Sequence, residues 1–224
     1  MFGHFAGAGR ALGRLVCLAV GILAAGSFDA SAQTAERITG FVVDVRGAIP
    51  LYPTEDAVAA PRSTEGGLLP SFGLGVEVGA HVYPLRGRVV ALGVGASFHV
   101  SRGGRTPSVP NGSSAPAGPT VQARLTAFSP QLSINFGHRM GWSYLSGGIG
   151  QATFRAWRDD LPEEDGASTK TINYGGGARW FLNERVAFAV DLRFYAMNPI
   201  ETSATALGHP RMTRAVVSAG LSLR

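Results

Sequence analysis

The feature that most restricts this chain is a period of two in its apolar side chains, carried through eight successive segments between residues 41 and 223. A helix repeats its apolar positions every three to four residues. Strict alternation belongs to a strand, which sends successive side chains to opposite faces. In the first segment Phe41, Val43 and Val45 oppose Asp44 and Arg46. In the second, Phe72, Leu74, Val76, Val78, Ala80 and Val82 oppose Gly73, Gly75, Glu77, Gly79, His81 and Tyr83. The third sets Val90, Leu92, Val94, Ala96, Phe98 and Val100 against Ala91, Gly93, Gly95, Ser97 and His99. The sixth, seventh and eighth segments repeat the scheme: Ile172 and Trp180 against Asn173 and Arg179, Phe188 and Leu192 against Asp191 and Arg193, Val217 and Leu221 against Arg214 and Ser218.

The fourth segment changes parity. It begins with Val121, Ala123, Leu125 and Ala127 against Gln122, Arg124 and Thr126, then continues with Leu132, Ile134 and Phe136 against Ser133 and Asn135. The switch falls at Ser129-Pro130, where a bulge is expected, because proline gives no ladder donor and a bulge shifts the facing by one. The fifth segment, about 142–157, stays ambiguous, since Leu145 and Ile149 disagree in parity with Phe154 and Ala156.

The connections alternate too. Tight turns are expected at 84–87, 138–141 and 183–185, and long links rich in Pro, Gly, Ser and charge at 49–70, 101–120, 158–168 and 198–211. Each segment has at least the 9–11 residues that a tilted strand needs to cross a bilayer. Short turns at one end and long loops at the other are the plan of a bacterial outer-membrane barrel. The fold class expected is therefore all-β: an eight-stranded antiparallel up-and-down transmembrane β-barrel.

Facing decides between a soluble and a membrane barrel. The apolar face carries no charge, whereas the second face carries Gly, Ser, Thr, Asn and the charges Asp44, Arg46, Glu77, Arg124, Arg179, Asp191, Arg193 and Arg214. Small residues would fill a soluble core badly, but they suit a narrow lumen lined by polar groups. In hydrocarbon every backbone group must be bonded, so the sheet must close. Those eight charged residues are the expected lumen network, a salt-bridge plug in which arginine outnumbers acid, so that water or anions supply the balance. Aromatics mark both expected interfaces: Tyr83, Phe136, Trp142, Trp180 and Phe181 beside the tight turns, and Phe72, Phe98, Trp157 and Tyr195 near the long links.

Residues 1–32 read as a signal peptide: Arg10 and Arg14, an apolar run at 15–25, and Ala30-Ser31-Ala32 before a cleavage at Gln33. Residues 33–224 are then the barrel domain. Charged residues make up only 16 % of the chain, with 45 % hydrophobic, which excludes a disordered chain. The single cysteine, Cys17, lies in the signal segment and excludes a disulfide scaffold or a cysteine zinc site. The net charge of +5 is spread along the chain with no basic run, so no nucleic-acid partner is expected.

The leader, the strand count and segments such as SFGLGVEVGAHVYPL and RVVALGVGASFHV resemble the small outer-membrane β-barrel family, of the OmpA-transmembrane-domain or OmpX type, over about 38–224. The resemblance implies a monomer with periplasmic termini, contact with outer-membrane lipid and lipopolysaccharide, and the barrel-assembly machinery as a partner during insertion. It also implies roles in adhesion, envelope integrity or resistance exercised through loops, with no cofactor. One departure stands out: the last segment, Ala219 to Arg224, keeps its alternation but lacks the aromatic end that family members carry.

His99-Val100-Ser101 resembles the His-x-Ser pair of outer-membrane lipid A deacylases, in which histidine would deprotonate serine and a carboxylate orient the histidine. With the turn near 85–86, His99 is expected opposite residues 72–73, several positions above Glu77. His81, His99, His138 and His209 lack metal-ligand spacing, and Asp159, Asp160, Glu163, Glu164 and Asp165 read as a solvated acidic loop. The reading favoured is a non-enzymatic barrel with a structural or surface-interaction role. The alternatives are a narrow pore for small polar or anionic solutes and a lipid A-modifying esterase.

Overall fold

A computed structural model describes residues 37–52, 54–62, 66–108, 118–163, 166–203 and 207–224. The expected signal segment, 1–32, lies outside the described residues. Eight antiparallel strands close into a barrel in which each pairs with its neighbour in sequence and the first pairs with the last. They are β1 (Phe41–Pro50), β2 (Leu74–Arg86), β3 (Val90–Arg105), β4 (Val121–His138), β5 (Gly141–Arg158), β6 (Thr169–Phe181), β7 (Val186–Met197) and β8 (Met212–Leu223). The shortest, β1, has 10 residues, enough to cross hydrocarbon, while β4 and β5 reach 18. One α-helical turn, α1 (Asp56–Ala59), and two 3-10 turns (Ala60–Arg62 and Gly66–Leu68) lie in the link from β1 to β2.

The barrel is built inside out. Leu74 is 68 % exposed and Phe188 43 %, whereas Glu77 is 0 % and Asp191 3 % exposed. Leu132, Leu145, Ile149 and Ile172 join the outward set, and Asp44, Arg46, Arg179 and Arg193 the inward one. In water such a wall would be costly. In lipid it removes apolar surface from solvent around the whole circumference while the closed ladder bonds the backbone.

Two expectations about β4 and β5 are corrected. No bulge occurs at Ser129-Pro130: β4 keeps one parity and one register with β3 from Val121 to Phe136, with Pro130 opposite Ala96. On the other side the ladder to β5 is interrupted between Phe128 and Leu132, yet resumes in the same register. Backbones crowd there, because a Cβ on Gly148 would lie 1.8 Å from the Pro130 carbonyl oxygen, so glycine is what admits proline in mid-strand. With parity unbroken, Val121, Ala123, Leu125 and Ala127 turn inward. β5 likewise settles with Leu145 and Ile149 outward and Phe154 and Ala156 inward. The one register shift in the sheet's first half falls between Val82 and Leu85 of β2, beside Pro84.

Candidate functional site

The inward positions of the strands converge on a belt of ionised groups across the middle of the barrel. Asp44 on β1 receives two bonds from Arg179 on β6, Nε to Oδ1 at 3.0 Å and Nη2 to Oδ2 at 2.6 Å, and a third from Ser222 Oγ on β8. Arg46 donates to Glu77 on β2 at 2.6 Å and to the Tyr144 hydroxyl on β5 at 2.9 Å. Tyr144 in turn donates to Asp191 on β7 at 2.6 Å. Arg193 donates to Asp191 at 3.1 Å, Asn173 at 3.0 Å and Ser146 at 2.9 Å. The Arg179 guanidinium also lies 4.2 Å from the Tyr144 ring centroid. Burying charge is tolerable only when partners replace water, and a fork of two parallel bonds is the strongest such replacement.

Of the eight expected lumen residues, six meet in this belt: Asp44, Arg46, Glu77, Arg179, Asp191 and Arg193. Two do not. Arg124 is on the outward face, because β4 has no parity switch, and its Nη1 binds Glu163 at 2.9 Å with the side chain 37 % exposed. Arg214 faces inward but sits apart near the long links, donating to Met212 Sδ and lying 5.1 Å from the Phe154 ring centroid. The expected arginine excess therefore vanishes from the belt, where three guanidinium groups face three carboxylates and call for no additional anion.

Apolar clusters close the lumen on either side of the belt. Toward the tight turns, Trp142 stacks on Phe181 at 5.0 Å and meets Tyr83 edge-on at 6.0 Å, with Val42, Ala91 and Ala187. Toward the long links, Leu125, Phe154, Met197 and Val216 pack with Tyr52, Val58 and Leu69, which the β1–β2 link folds into the barrel mouth. These clusters correct the aromatic girdles. Phe136, Trp180, Phe72 and Phe98 do face outward, and Trp157 keeps the outward parity of β5, covered by Arg102, but Tyr83, Trp142, Phe181 and Tyr195 are buried on the inner face. The mouth plug was missed in the sequence. Its signal was there: Val58, Leu68 and Leu69 are apolar residues in a link read as rich in Pro, Gly, Ser and charge.

His99 and Ser101 do form a pair, with Nε2 and Oγ 2.9 Å apart and the Tyr52 hydroxyl 3.1 Å from the same oxygen. Burial raises the Tyr52 phenol above its ordinary pKa. The register differs from expectation: His99 is directly opposite Glu77, because the β2–β3 turn is centred on 87–89 and the Val82/Leu85 shift adds a residue. Even so, His99 makes no ion pair with Glu77 among the described residues, and both His99 and Ser101 are buried inside the wall at 0 % and 3 % exposure. Acyl chains lie on the other side of that wall. The remaining histidines are dispersed: His81 has Nδ1 3.9 Å from Asp44, His138 is exposed at a turn, and His209 bonds Pro210 O. In the acidic loop, Arg158 grips Asp160 through two bonds and holds its carboxyl below the ordinary value; Glu164 and Asp165 lie outside the described residues.

No family model and no curated protein matches the sequence. Among solved structures, the chain is similar to Neisserial surface protein A at 12 % identity and a TM-score of 0.48, covering 83 % of this chain and 97 % of that one. It is similar to the Yersinia pestis attachment invasion locus protein at 12 % identity and a TM-score of 0.44, covering 85 % and 100 %. It is also similar to Pseudomonas aeruginosa OprG at 12 % identity and a TM-score of 0.41, covering 85 % and 97 %. The chain's own closed ladder and its outward apolar wall make it an integral protein of the bacterial outer membrane with the fold of an eight-stranded up-and-down barrel.

Proposed function

We propose that the protein is a non-conducting, non-enzymatic barrel that serves the envelope as a rigid element and acts through the surface at its long-loop end. One observation carries this reading: the lumen is filled along its length, by the ion-pair belt and by an apolar cluster above and below it. Eight strands enclose a space about wide enough for side chains alone. An anion path would need open cationic positions, whereas Arg46, Arg179 and Arg193 all hold carboxylates. An esterase acting on membrane lipid would need its nucleophile on the outer wall, and Ser101 is on the inner one. In this reading the short turns are periplasmic and the long links extracellular.

Planar-bilayer recording tests it. The purified barrel, folded as judged by a heat-dependent shift in gel migration, is expected to leave the bilayer silent. A steady current that scales with salt would replace the plug reading with the pore.

A further inference from the structure

The outer wall holds a feature that the filled lumen does not explain. Arg102 on β3 is paired with Arg124 on β4, and Arg124 with Arg155 on β5, so three guanidinium groups stand in file across adjacent strands. All three alternate with inward neighbours such as Ser101, Leu125 and Phe154, and so face outward. Like charges directly opposite one another weaken a sheet. Among the described residues a single carboxylate serves the file: Glu163 accepts from Arg124 at 2.9 Å and from Arg155 at 3.2 Å. Arg102 is held instead by Gln122, its Nε 3.3 Å from Oε1, and by the Trp157 ring at 5.6 Å. Lys170, exposed on β6 opposite Gln151, extends the positive wall.

The height of the file says what it meets. The nearest outward apolar side chains toward the barrel's middle are Val100 on β3 and Phe128 on β4. Arg102 is two positions beyond the first and Arg124 four beyond the second, about 7 and 13 Å along a strand. A tilt of about 45° turns these into about 5 and 9 Å of height, which is the headgroup layer bordering the hydrocarbon. Planar guanidinium groups match phosphate oxygens in pairs, and each cation near a membrane surface adds to the attraction.

We propose that Arg102, Arg124 and Arg155 form a binding file for the phosphate groups of an anionic lipid headgroup in the leaflet at the long-loop end, with Glu163 competing for two of the three. The proposal rests on the membrane reading above. Native mass spectrometry of the folded barrel in micelles tests it, with bisphosphorylated lipid A, phosphatidylcholine and inorganic phosphate as the probes. The wild type is expected to retain lipid A in preference to phosphatidylcholine. Arg124→Gln/Arg155→Gln should weaken retention about tenfold or more, Glu163→Gln should strengthen it, and Arg88→Gln at the opposite end should change nothing. Unchanged retention by the folded double variant, or equal retention of the two lipids, overturns the file as a site. Displacement by millimolar inorganic phosphate overturns the lipid assignment in favour of a general anion site. Absence of a heat-shifted folded band in the wild type overturns the membrane reading and the file with it.

Discussion

The middle of the lumen and its long-loop mouth are built from the same sheet by opposite means. In the middle, inward positions carry Asp44, Arg46, Glu77, Arg179, Asp191 and Arg193, and order comes from directional bonds. In the mouth, inward positions carry Val121, Leu125, Phe154 and Val216, and order comes from packing against a loop. A belt of charge is demanding, since each member needs its partner in place. A plug of methyl groups is forgiving, since neighbours relax into small voids. The barrel therefore has a specific waist and a tolerant mouth.

Three substitutions probe that contrast. Arg179→Ala should do most harm, because it leaves Asp44 buried with Ser222 as its one hydrogen-bond donor among the described residues and Arg46 Nη1 no closer than 3.9 Å. A loss of about 3–5 kcal/mol is expected, read as an earlier midpoint in urea unfolding from micelles. If the variant matched wild type, the belt would not be the ordering element. Leu125→Ala should cost somewhat less, about 2–4 kcal/mol, and the cost should shrink where the loop can settle into the space. Arg124→Ala should move the midpoint least, by about 0–1 kcal/mol, because its partner Glu163 is a partly exposed ion pair on the outer wall. A loss as large as that of Arg179→Ala would return Arg124 to the lumen and undo the assigned facing of β4.

Arg124 and Arg179 also show where sequence reading succeeds and where it stops. Each occupies a polar slot in an alternating segment, and alternation alone reports two faces without saying which is inner. Around Arg179 the opposite face is apolar and continuous, so the assignment is unambiguous, and strand number, order and closure were legible by the same rule. Around Arg124 the inner face is itself apolar, because the mouth is plugged by side chains rather than lined by polar groups. A rule that sends every apolar residue outward must then invent a parity switch, and Pro130 offered a convenient place for one. The compensation came from Gly148 on the neighbouring strand, a pairing that cannot be known before the register is. The His99–Glu77 register was hidden for a similar reason, since a turn centred a few residues later moves every pairing above it.

The seam between β1 and β8 has a consequence for biogenesis. Residues 41–50 gain their second partner only when residues 212–223 exist, and Asp44 waits for Ser222, 178 positions downstream. A half-made cylinder in hydrocarbon would expose two unbonded margins together with an orphaned carboxylate. The nascent chain thus has no comfortable resting point on the way in, and insertion and completion have to arrive as one event.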